Sequence, residues 1–360
     1  MNVCVVNPNF YRSSGVTIAI RRICEGSTAL PITWFLVDCE YGSEHSLTDY
    51  GWIHALPNIR VDTLRLMDSH PLRLINAIFA FKAYLKVHRI NVIHVHHRRL
   101  AAFFGMLQSF LGVPCVYTGQ LTYDHNVAFK FVPMPTATAI TESVKHNMEQ
   151  TTSARNIVVI SNPAMTPEVD AVDLASASRR QVICIARLEP VKNHDLLIRA
   201  WKSVCDKLSD CDLVLVGEGT LKAQLEGLVT ELGIADRVVF AGFHGDVAPL
   251  ILRSDFMVLP SWREGQGIVT IEGAVLGKAT LLTDVDGSRD CVPPDCQLPN
   301  KVDPKSVPSM TAALDYWLAH ADEVETEGQR FQAYWSRRAN PQYIARQYYD
   351  VYKSLLKAAG

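Results

Sequence analysis

The sequence predicts an α/β protein built of two doubly wound domains that face each other across a cleft. Short apolar runs alternate with amphipathic stretches throughout the chain, a pattern typical of strand–helix units around a parallel sheet. A polar, turn-rich segment divides these units into two nearly equal sets, and 360 residues fit two domains of ordinary size. We therefore expect a first domain at 1–163, a linker at 164–179 and a second domain at 180–335.

The strand candidates are short apolar runs that end at turn-forming residues. In the first domain they are NVCVVNP, ITWFLVDC, NVIHVH, PCVYTG, ATAIT and NIVVISN. In the second domain they are QVICIARL, CDLVLVGEG, RVVFAGF, DFMVLPS and ATLLTD. Because helical stretches separate consecutive strands, each set is predicted to pair in parallel.

Two helices are notable before the functional motifs are considered. HPLRLINAIFAFKAYLKVHRI is apolar and basic, with Arg73, Lys82, Lys86 and Arg89. It could lie on an anionic membrane surface, or it could be a packing helix with a solvated basic edge, which we favour. The C-terminal stretch repeats apolar and aromatic residues at three- and four-residue steps and is predicted to be helical.

Composition restricts the class of protein. Hydrophobic residues make up 48% and charged residues 20%, and the net charge of −2 gives no reason to expect nucleic-acid binding. Residues 1–165 contain 14 Lys and Arg against 10 Asp and Glu, which suits an anionic partner or a membrane surface unless the asymmetry is chance. Nine scattered cysteines without a C-x₂-C pair indicate buried thiols in a cytosolic protein. We expect neither a signal peptide nor a transmembrane segment.

The first motif is ICIARLEPVKNHDLLIRA, in which a strand leads through a loop into a helix. It places Arg187 and Lys192 five positions apart at the carboxyl end of a strand, where ligands of doubly wound folds bind. Two cations and a helix N-terminus there could neutralise a diphosphate. A plain surface loop is the alternative.

The second motif, LVLVGEGTLKAQLEGL, resembles half of a dinucleotide-binding fingerprint. Gly217 and Gly219 permit close approach of the backbone, but Lys222 stands where a third glycine is needed. The sequence therefore gives poor support to an enzyme that binds a nicotinamide or flavin cofactor. Gly217 either shapes a nucleotide pocket or forms a tight turn.

The third motif follows the strand DFMVLPS and carries two carboxylates, Glu264 and Glu272. If the next helix begins near Gly267, Glu272 lies in its second turn. Gly265 and Gly267 are expected to leave backbone N–H groups open to an anion, and carboxylates are acceptors suited to diols. We predict that substrate-binding residues of this segment are Glu272, Gly265, Gln266, Gly267 and Ile268.

The order of these motifs resembles the family 4 retaining glycosyltransferases, which have the GT-B fold of two Rossmann-like domains. The matching stretches are RLEPVKN, LVGEG, VVFAGF and REGQGIVTIEGAVLGKATLLTDVDGSRD. The resemblance implies that residues 336–360 form a helix returning to the first domain. It also implies transfer of a sugar, with retention, from a nucleoside diphosphate sugar to a glycan or lipid-linked acceptor, without a metal or a cofactor.

The resemblance also implies roles for individual residues. Arg187 and Lys192 would grip the diphosphate, Glu264 would bind hydroxyls of the donor sugar, and Glu272 would bind the ribose. The leaving phosphate would itself accept the proton of the acceptor. The acceptor would fall to the first domain, including the turn around Gly15.

Two positions depart from the family pattern. Where relatives carry a histidine after the fifth strand, this chain has Gln120, and His125 follows five residues later. Either Gln120 supplies the hydrogen bond, His125 reaches in, or the site is altered. Gly15 stands alone where many relatives have a Gly-Gly pair.

Other interpretations remain at this point. His94 and His96, on one face of a predicted strand, are expected to pack rather than to bind a metal. The D-x-D pairs at Asp210 and Asp284 are not expected to bind a cation. By analogy we place the enzyme in surface polysaccharide or lipopolysaccharide synthesis, peripheral on the inner face of the cell membrane. The alternatives are a sugar-nucleotide epimerase of the same fold and a catalytically silent partner that binds nucleotide or glycan.

Overall fold

A computed structural model describes residues 1–8, 10, 14–39, 51, 56, 58–66, 69–123, 127–164, 179–299 and 302–359. The chain divides into two compact units, Met1–Pro163 with Asn340–Gly360, and Ala164–Ala339. Of the expected linker at 164–179, residues 165–178 lie outside the described residues. Each unit is an α/β structure with its own parallel sheet.

The first unit begins with alternating strands and helices. Its described strands are β1 Asn2–Asn7, β2 Thr33–Asp38, β3 Ile59–Thr63, β4 Val92–Val95, β5 Cys115–Gly119, β6 Thr136–Ala139 and β7 Val158–Val159. Its helices up to residue 163 are α1 Gly15–Gly26, α2 Pro71–Val87, α3 Arg98–Leu111 and α4 Glu142–Thr151. The Thr141 hydroxyl accepts the Val144 N–H and caps α4.

The described strands of this unit form one parallel sheet in the order β3-β2-β1-β4-β5-β6-β7. β3 was absent from the strands predicted from sequence, because Arg60 and Asp62 interrupt its apolar pattern at the half-exposed edge of the sheet. Successive side chains of β1 point to opposite faces of the sheet. Val5 belongs to the same core cluster as Tyr348, and Val6 belongs to the cluster of Phe81 and Phe104.

The second unit repeats the doubly wound plan. Its strands are β8 Arg180–Ile185, β9 Cys211–Val216, β10 Val238–Gly242, β11 Phe256–Leu259 and β12 Thr280–Leu282. Its helices are α5 His194–Cys205, α6 Lys222–Glu231, α7 Ala248–Arg253, α8 Ile268–Val275, α9 Asp286–Arg289, α10 Val307–Ala319 and α11 Ala321–Arg338. The described strands pair in parallel in the order β10-β9-β8-β11-β12.

The final helix, α12 Pro341–Ala359, belongs to the first unit and packs against α1. The expected boundary at 335/336 falls four residues later in the structure, between Ala339 and Asn340. The reason is that α11 continues to Arg338 and Ala339 is fully buried in the core of the second unit. There the carbonyl of Ala339 accepts the N–H of Ala164 at 2.9 Å.

None of the helices in the part of the chain that the structure describes combines the length and the apolarity that a bilayer crossing requires.

Two mid-helix glycines of the second unit lie in opposite environments. A Cβ on Gly328 of α11 would meet the Gly277 carbonyl oxygen at 2.1 Å, whereas a Cβ on Gly227 of α6 would meet nothing within 4 Å. Gly328 is therefore required where α11 crosses the end of α8, while Gly227 only weakens its own helix.

We predict opposite effects for Gly227→Ala and Gly328→Ala. The first removes the cost of a helical glycine and should stabilise the protein by about 1 kcal/mol, raising the thermal midpoint by about 2 to 4 °C. The second forces a methyl group against backbone and should destabilise it by at least about 2 kcal/mol. Thermal unfolding followed by circular dichroism measures both, and a stabilised Gly328→Ala would contradict the described packing of α11.

Candidate active site

The strand order of the second unit creates the site. The first strand of this unit, β8, lies between β9 and β11, so the chain leaves β8 and β11 toward opposite sides of the sheet. Such a reversal opens a crevice at the carboxyl ends of the two strands. The loops that follow them carry Arg187 to Lys192 and Ser261 to Gly267.

Lys192 and Glu264 meet in this crevice. Their Nζ and Oε1 atoms are 2.6 Å apart, and the Ser261 hydroxyl donates to the same carboxylate oxygen at 2.7 Å. Glu264 is only 6% exposed, and the Lys192 side chain is 20% exposed. A carboxylate this buried needs the charge and the hydroxyl beside it, because an unpaired buried charge is costly.

The loops are fixed by backbone contacts. Pro190–Lys192 form a short 3₁₀ turn, and the chain enters α5 through Asn193 in the left-handed region at φ 55°. The Trp262 N–H donates to the Val191 carbonyl at 2.9 Å and joins the two loops. Lys192 is thus aimed at Glu264 by main-chain geometry rather than by the ion pair alone.

Arg187 lies in the same loop but not in the ion pair. It is exposed just beyond β8, and its guanidinium has no ion-pair partner among the residues that the structure describes. The structure therefore brings Lys192 and Glu264 together and leaves Arg187 available at the rim.

The helix α8 begins as the third motif requires. Its first residue is Ile268, so Glu272 lies in the second turn, where it is partly buried. Gln266 is buried and Ile268 is partly exposed, while the Gly265 backbone packs against Gly287. Their roles in binding stay predictions.

The turn before α8 packs on a segment that a buried cysteine holds. The Cys291 thiol donates to the Gly287 carbonyl at 3.3 Å, and the Gly287 backbone lies against the Gly265 carbonyl. Burial raises the pKa of the Cys291 thiol, so the thiol stays neutral. That backbone N–H groups at the start of α8 are open to an anion stays a prediction.

Gly217 serves the packing of one loop against another. Its φ is 139°, and a Cβ would meet the Ala186 carbonyl oxygen at 2.1 Å. The neighbouring Thr220 hydroxyl donates to Glu189 at 2.9 Å, so the loops after β8 and β9 form one bonded layer. Whether Gly217 also touches a nucleotide stays a prediction.

The first unit contains a polar network at the ends of β4 and β5. Gln120 Nε2 lies 3.0 Å from Nδ1 of His96, and the ring centres of His96 and His94 are 4.3 Å apart. His94 bonds Thr118 at 2.7 Å and the Tyr352 hydroxyl at 2.8 Å. Burial lowers the pKa of His96 to about 3 and that of His94 well below its usual value, so both imidazoles are neutral near pH 7.

His96 is the residue that sequence reasoning missed at this end of the sheet. Alternation placed it on one face with His94, but its bond to Gln120 spans 24 positions and required the pairing of β4 with β5. His125 and residues 11–13 lie outside the described residues, so the choice between Gln120 and His125 stays open. Gly15 is exposed as the first residue of α1.

Three of the four aspartates in the two D-x-D pairs form ion pairs with arginine. Asp284 and Asp286 both pair with Arg289, and Asp212 pairs with Arg237 and Arg179. Within the described ranges no group of three or more His, Cys, Asp or Glu side chains could hold a metal ion.

We predict that Lys192→Met and Glu264→Gln are strongly coupled. Lys192→Met leaves a buried carboxylate without its cation and should destabilise the protein by about 2 to 3 kcal/mol. Adding Glu264→Gln removes the unpaired charge and should restore much of that loss, because Ser261 can still donate to the amide oxygen. Urea unfolding of the four proteins measures the cycle, and additive effects would show that the pair is not formed.

The second unit is similar in sequence to a known family of proteins. Residues 167–329 match the family model described as "Glycosyl transferases group 1", and this segment lies wholly within Ala164–Ala339. A lipopolysaccharide core biosynthesis glycosyltransferase of Rhizobium meliloti is 33% identical over 177 residues, 48% of either chain. The matched segments span from 27% to 48% of the length of the curated relatives. The second unit thus contains the segment that is similar to this family.

Solved structures match the chain over nearly its whole length. A glycosyltransferase from Rickettsia africae ESF-5 is 16% identical, with a TM-score of 0.84 over 99% of this chain and 98% of that one. The Anabaena protein HepE, solved with UDP and glucose, is 18% identical, with a TM-score of 0.78 over 98% of this chain and 100% of that one. At such identities the likeness concerns the fold, and the expected GT-B fold with two Rossmann-like domains is confirmed.

Proposed function

We propose that this chain is a retaining glycosyltransferase of hexosyl or related type. It moves a sugar from a nucleoside diphosphate sugar to a glycan or lipid-linked acceptor in cell-surface polysaccharide or lipopolysaccharide synthesis. The observation that carries the proposal is the Lys192–Glu264 pair. It lies where the strand order of the second sheet reverses, in the segment that matches the family model of glycosyl transferases group 1. The role in lipopolysaccharide synthesis rests on the Rhizobium meliloti relative.

The donor would bind with its diphosphate between Arg187 and Lys192. Arg187 is exposed beyond β8, and Lys192 stands at the entrance to α5, so both cations can approach the same anion. Glu264 would accept hydrogen bonds from sugar hydroxyls through the carboxylate oxygen that Lys192 does not hold. Glu272, in the second turn of α8, would bind the ribose. HepE, solved with UDP, offers a precedent for such a donor.

Catalysis would consist mainly of stabilising the leaving diphosphate. As the bond to the sugar breaks, negative charge grows on the phosphate oxygens, and preorganised cations lower the barrier to that step. The leaving phosphate would take the proton of the acceptor hydroxyl on the same face of the sugar, which gives retention without a protein nucleophile.

Two fixed cations would do the work that a divalent metal does elsewhere. The nearby carboxylates Asp284 and Asp286 are engaged by Arg289, and metal independence is therefore part of the proposal. No cofactor is required, because the nucleoside diphosphate sugar is a co-substrate.

The acceptor would bind in the first unit, at the carboxyl ends of β1, β4 and β5. Gln120 would supply a hydrogen bond near the reacting sugar, and the exposed start of α1 at Gly15 would line the acceptor. A lipid-linked acceptor lies at a membrane, so we include a peripheral contact between the first unit and the inner face of the cell membrane.

We predict that one of UDP, GDP, ADP, TDP or CMP raises the thermal midpoint of the protein, equally with and without magnesium. A ligand at 100 times its dissociation constant stabilises the native state by about 2.7 kcal/mol. Arg187→Ala should weaken that nucleotide by roughly tenfold or more, since one charge-assisted contact is lost. Arg199→Ala, which removes a surface cation of α5, is the matched control.

Activity then separates the candidate enzymes. Incubation of the stabilising nucleotide's sugar with and without acceptor, read by product identity, distinguishes transfer from epimerisation. A wild-type chain that no nucleotide stabilises would argue for the silent partner, and a shift that requires magnesium would remove the metal-independent mechanism.

A further inference from the structure

The helix α2 exposes apolar side chains along one face. Leu72, Ile75 and Phe79 recur at three- and four-residue steps and are 67%, 48% and 59% exposed. The buried residues of α2 are Phe81 and Leu85. A packing helix with a solvated basic edge would bury its apolar residues, so this helix has a second apolar face that its own unit does not cover.

The neighbouring helix α3 extends the same surface. Met106 and Phe110, one turn apart, are 60% and 39% exposed. The rings of Phe79 and Phe110 meet edge to face with centroids 5.6 Å apart, which joins the two helices. We call Leu72, Ile75, Phe79, Met106 and Phe110 the α2–α3 surface. Single exposed apolar residues are ordinary, but connected ones mark an interaction site.

Charge defines what this surface can meet. The Lys82 ammonium lies 3.8 Å from the centre of the Phe110 ring, at the edge of the apolar patch. Residues 69–123 contain six Lys and Arg and neither Asp nor Glu. Asp62 of β3 contacts α2 by accepting a hydrogen bond from Tyr84, which stacks on the buried Phe81. The helices themselves therefore offer cations without carboxylates of their own.

We propose that the α2–α3 surface docks on an anionic lipid bilayer. Phe79 and Phe110 would enter the boundary between headgroups and acyl chains, while Lys82 and Lys86 would extend to the lipid phosphates. Arg73, Lys82, Lys86 and Arg89 are exposed, whereas Arg98 is buried. Exposed cations on and next to the helix that bears an apolar patch fit a diffuse anionic surface better than a protein partner, which would require carboxylates at matching places. This inference rests on the proposed function, because it names the surface that would make the peripheral membrane contact. Binding to vesicles requires no transferase activity, so the failure of one can be distinguished from the failure of the other.

The test is sedimentation of the full chain with vesicles of phosphatidylcholine, with and without phosphatidylglycerol. Binding is expected to require phosphatidylglycerol and to weaken with salt. Phe79→Ser with Phe110→Ser should weaken binding by at least about tenfold, since apolar insertion is lost. Lys82→Gln with Lys86→Gln should weaken it by about tenfold or more. Val239→Ser and Lys222→Gln, exposed positions of the second unit, are the matched controls.

Three results would overturn the proposal. The first two are failure of the wild-type chain to sediment with anionic vesicles and equal sedimentation of the Phe79 and Phe110 variant. The third is a concentration-dependent dimer in analytical ultracentrifugation that the same variant abolishes, which would assign the surface to a second copy of the chain.

His96 and Gln120 form a hydrogen-bonded pair at the ends of β4 and β5. The side-chain NH₂ of Gln120 can only donate, so Nδ1 of the neutral His96 accepts and its proton resides on Nε2. With the nitrogen of the amide held in this way, the Gln120 carbonyl oxygen is turned away from His96. The pair therefore presents an acceptor with a fixed orientation at the end of β5.

The ring that holds Gln120 is itself supported. The ring of His94 contacts that of His96, and His94 is held by Thr118 of β5 and by the hydroxyl of Tyr352. Thr118 also bonds Thr138 of β6 at 2.7 Å. Strands β4 to β6 and helix α12 thus hold one buried network of polar groups that ends at Gln120, and a buried network of satisfied polar groups is rigid.

We infer that His96 is a positioning residue for Gln120 in the transfer reaction, an inference that rests on the proposed function. Gln120 occupies the place where relatives carry a histidine, and His96 supplies the imidazole from the adjacent strand without touching the substrate itself. Its contribution would be the orientation of the Gln120 amide in the transition state.

Kinetics of His96→Leu and His96→Asn test this inference. Leucine removes the acceptor and should lower kcat by about tenfold or more while the donor KM stays within about twofold. Asparagine offers an amide oxygen near the position of Nδ1 and should restore much of kcat. Nucleotide-induced thermal shifts of both variants show whether the donor site is intact.

The possible failures are distinguishable. An active wild-type enzyme with an equally active His96→Leu, or a His96→Asn no better than His96→Leu, would overturn the positioning role alone. A wild-type chain without transferase activity on any donor would overturn the proposed function, and this inference with it.

Discussion

The ion pair of Lys192 and Glu264 depends on one constraint, the strand order of the second sheet. Because β8 lies beside both β9 and β11, two loops that are 72 residues apart in sequence emerge at the same point. Neither side chain would be stable there alone, since a buried charge without a partner is costly. The proposed diphosphate grip and the bonded layer of loops both follow from that adjacency.

The site is held in shape before any ligand arrives. Glu264 receives a cation and a hydroxyl, the turn before α8 packs on Gly287, and the loop after β8 is packed on Gly217. Preorganised charges are effective because they need no rearrangement when charge develops in the reaction. A diphosphate would compete with Glu264 for Lys192, so donor binding would free part of that carboxylate to accept hydrogen bonds from the sugar.

The sequence predicted the fold class and most of the strands, because buried parallel strands are continuous apolar runs. It missed β3, whose edge position mixes charged and apolar residues, and it ended the second unit too early at 335 because α11 is followed so closely by α12. Motif spacing selected both Lys192 and Glu264, but their contact required the pairing of β8 with β11. The contact of Gly265 with Gly287 and the bond of Gln120 to His96 had no local signal, since each joins separate elements.

The two sheets differ in the charge of the side chains at their carboxyl ends, although both units are doubly wound. In the second unit the crevice holds charges that neutralise one another, which suits a ligand that carries charge. In the first unit the corresponding end of the sheet holds neutral imidazoles and hydroxyls, because burial lowers the pKa of His94 and His96. A neutral, hydrogen-bonded network is suited to hydroxyl groups of an acceptor. The cation that follows it in sequence, Arg98 at the start of α3, is buried and stacks on the rings of Tyr123 and Phe129. The proposed orientation of Gln120 would therefore depend on hydrogen bonds between neutral groups.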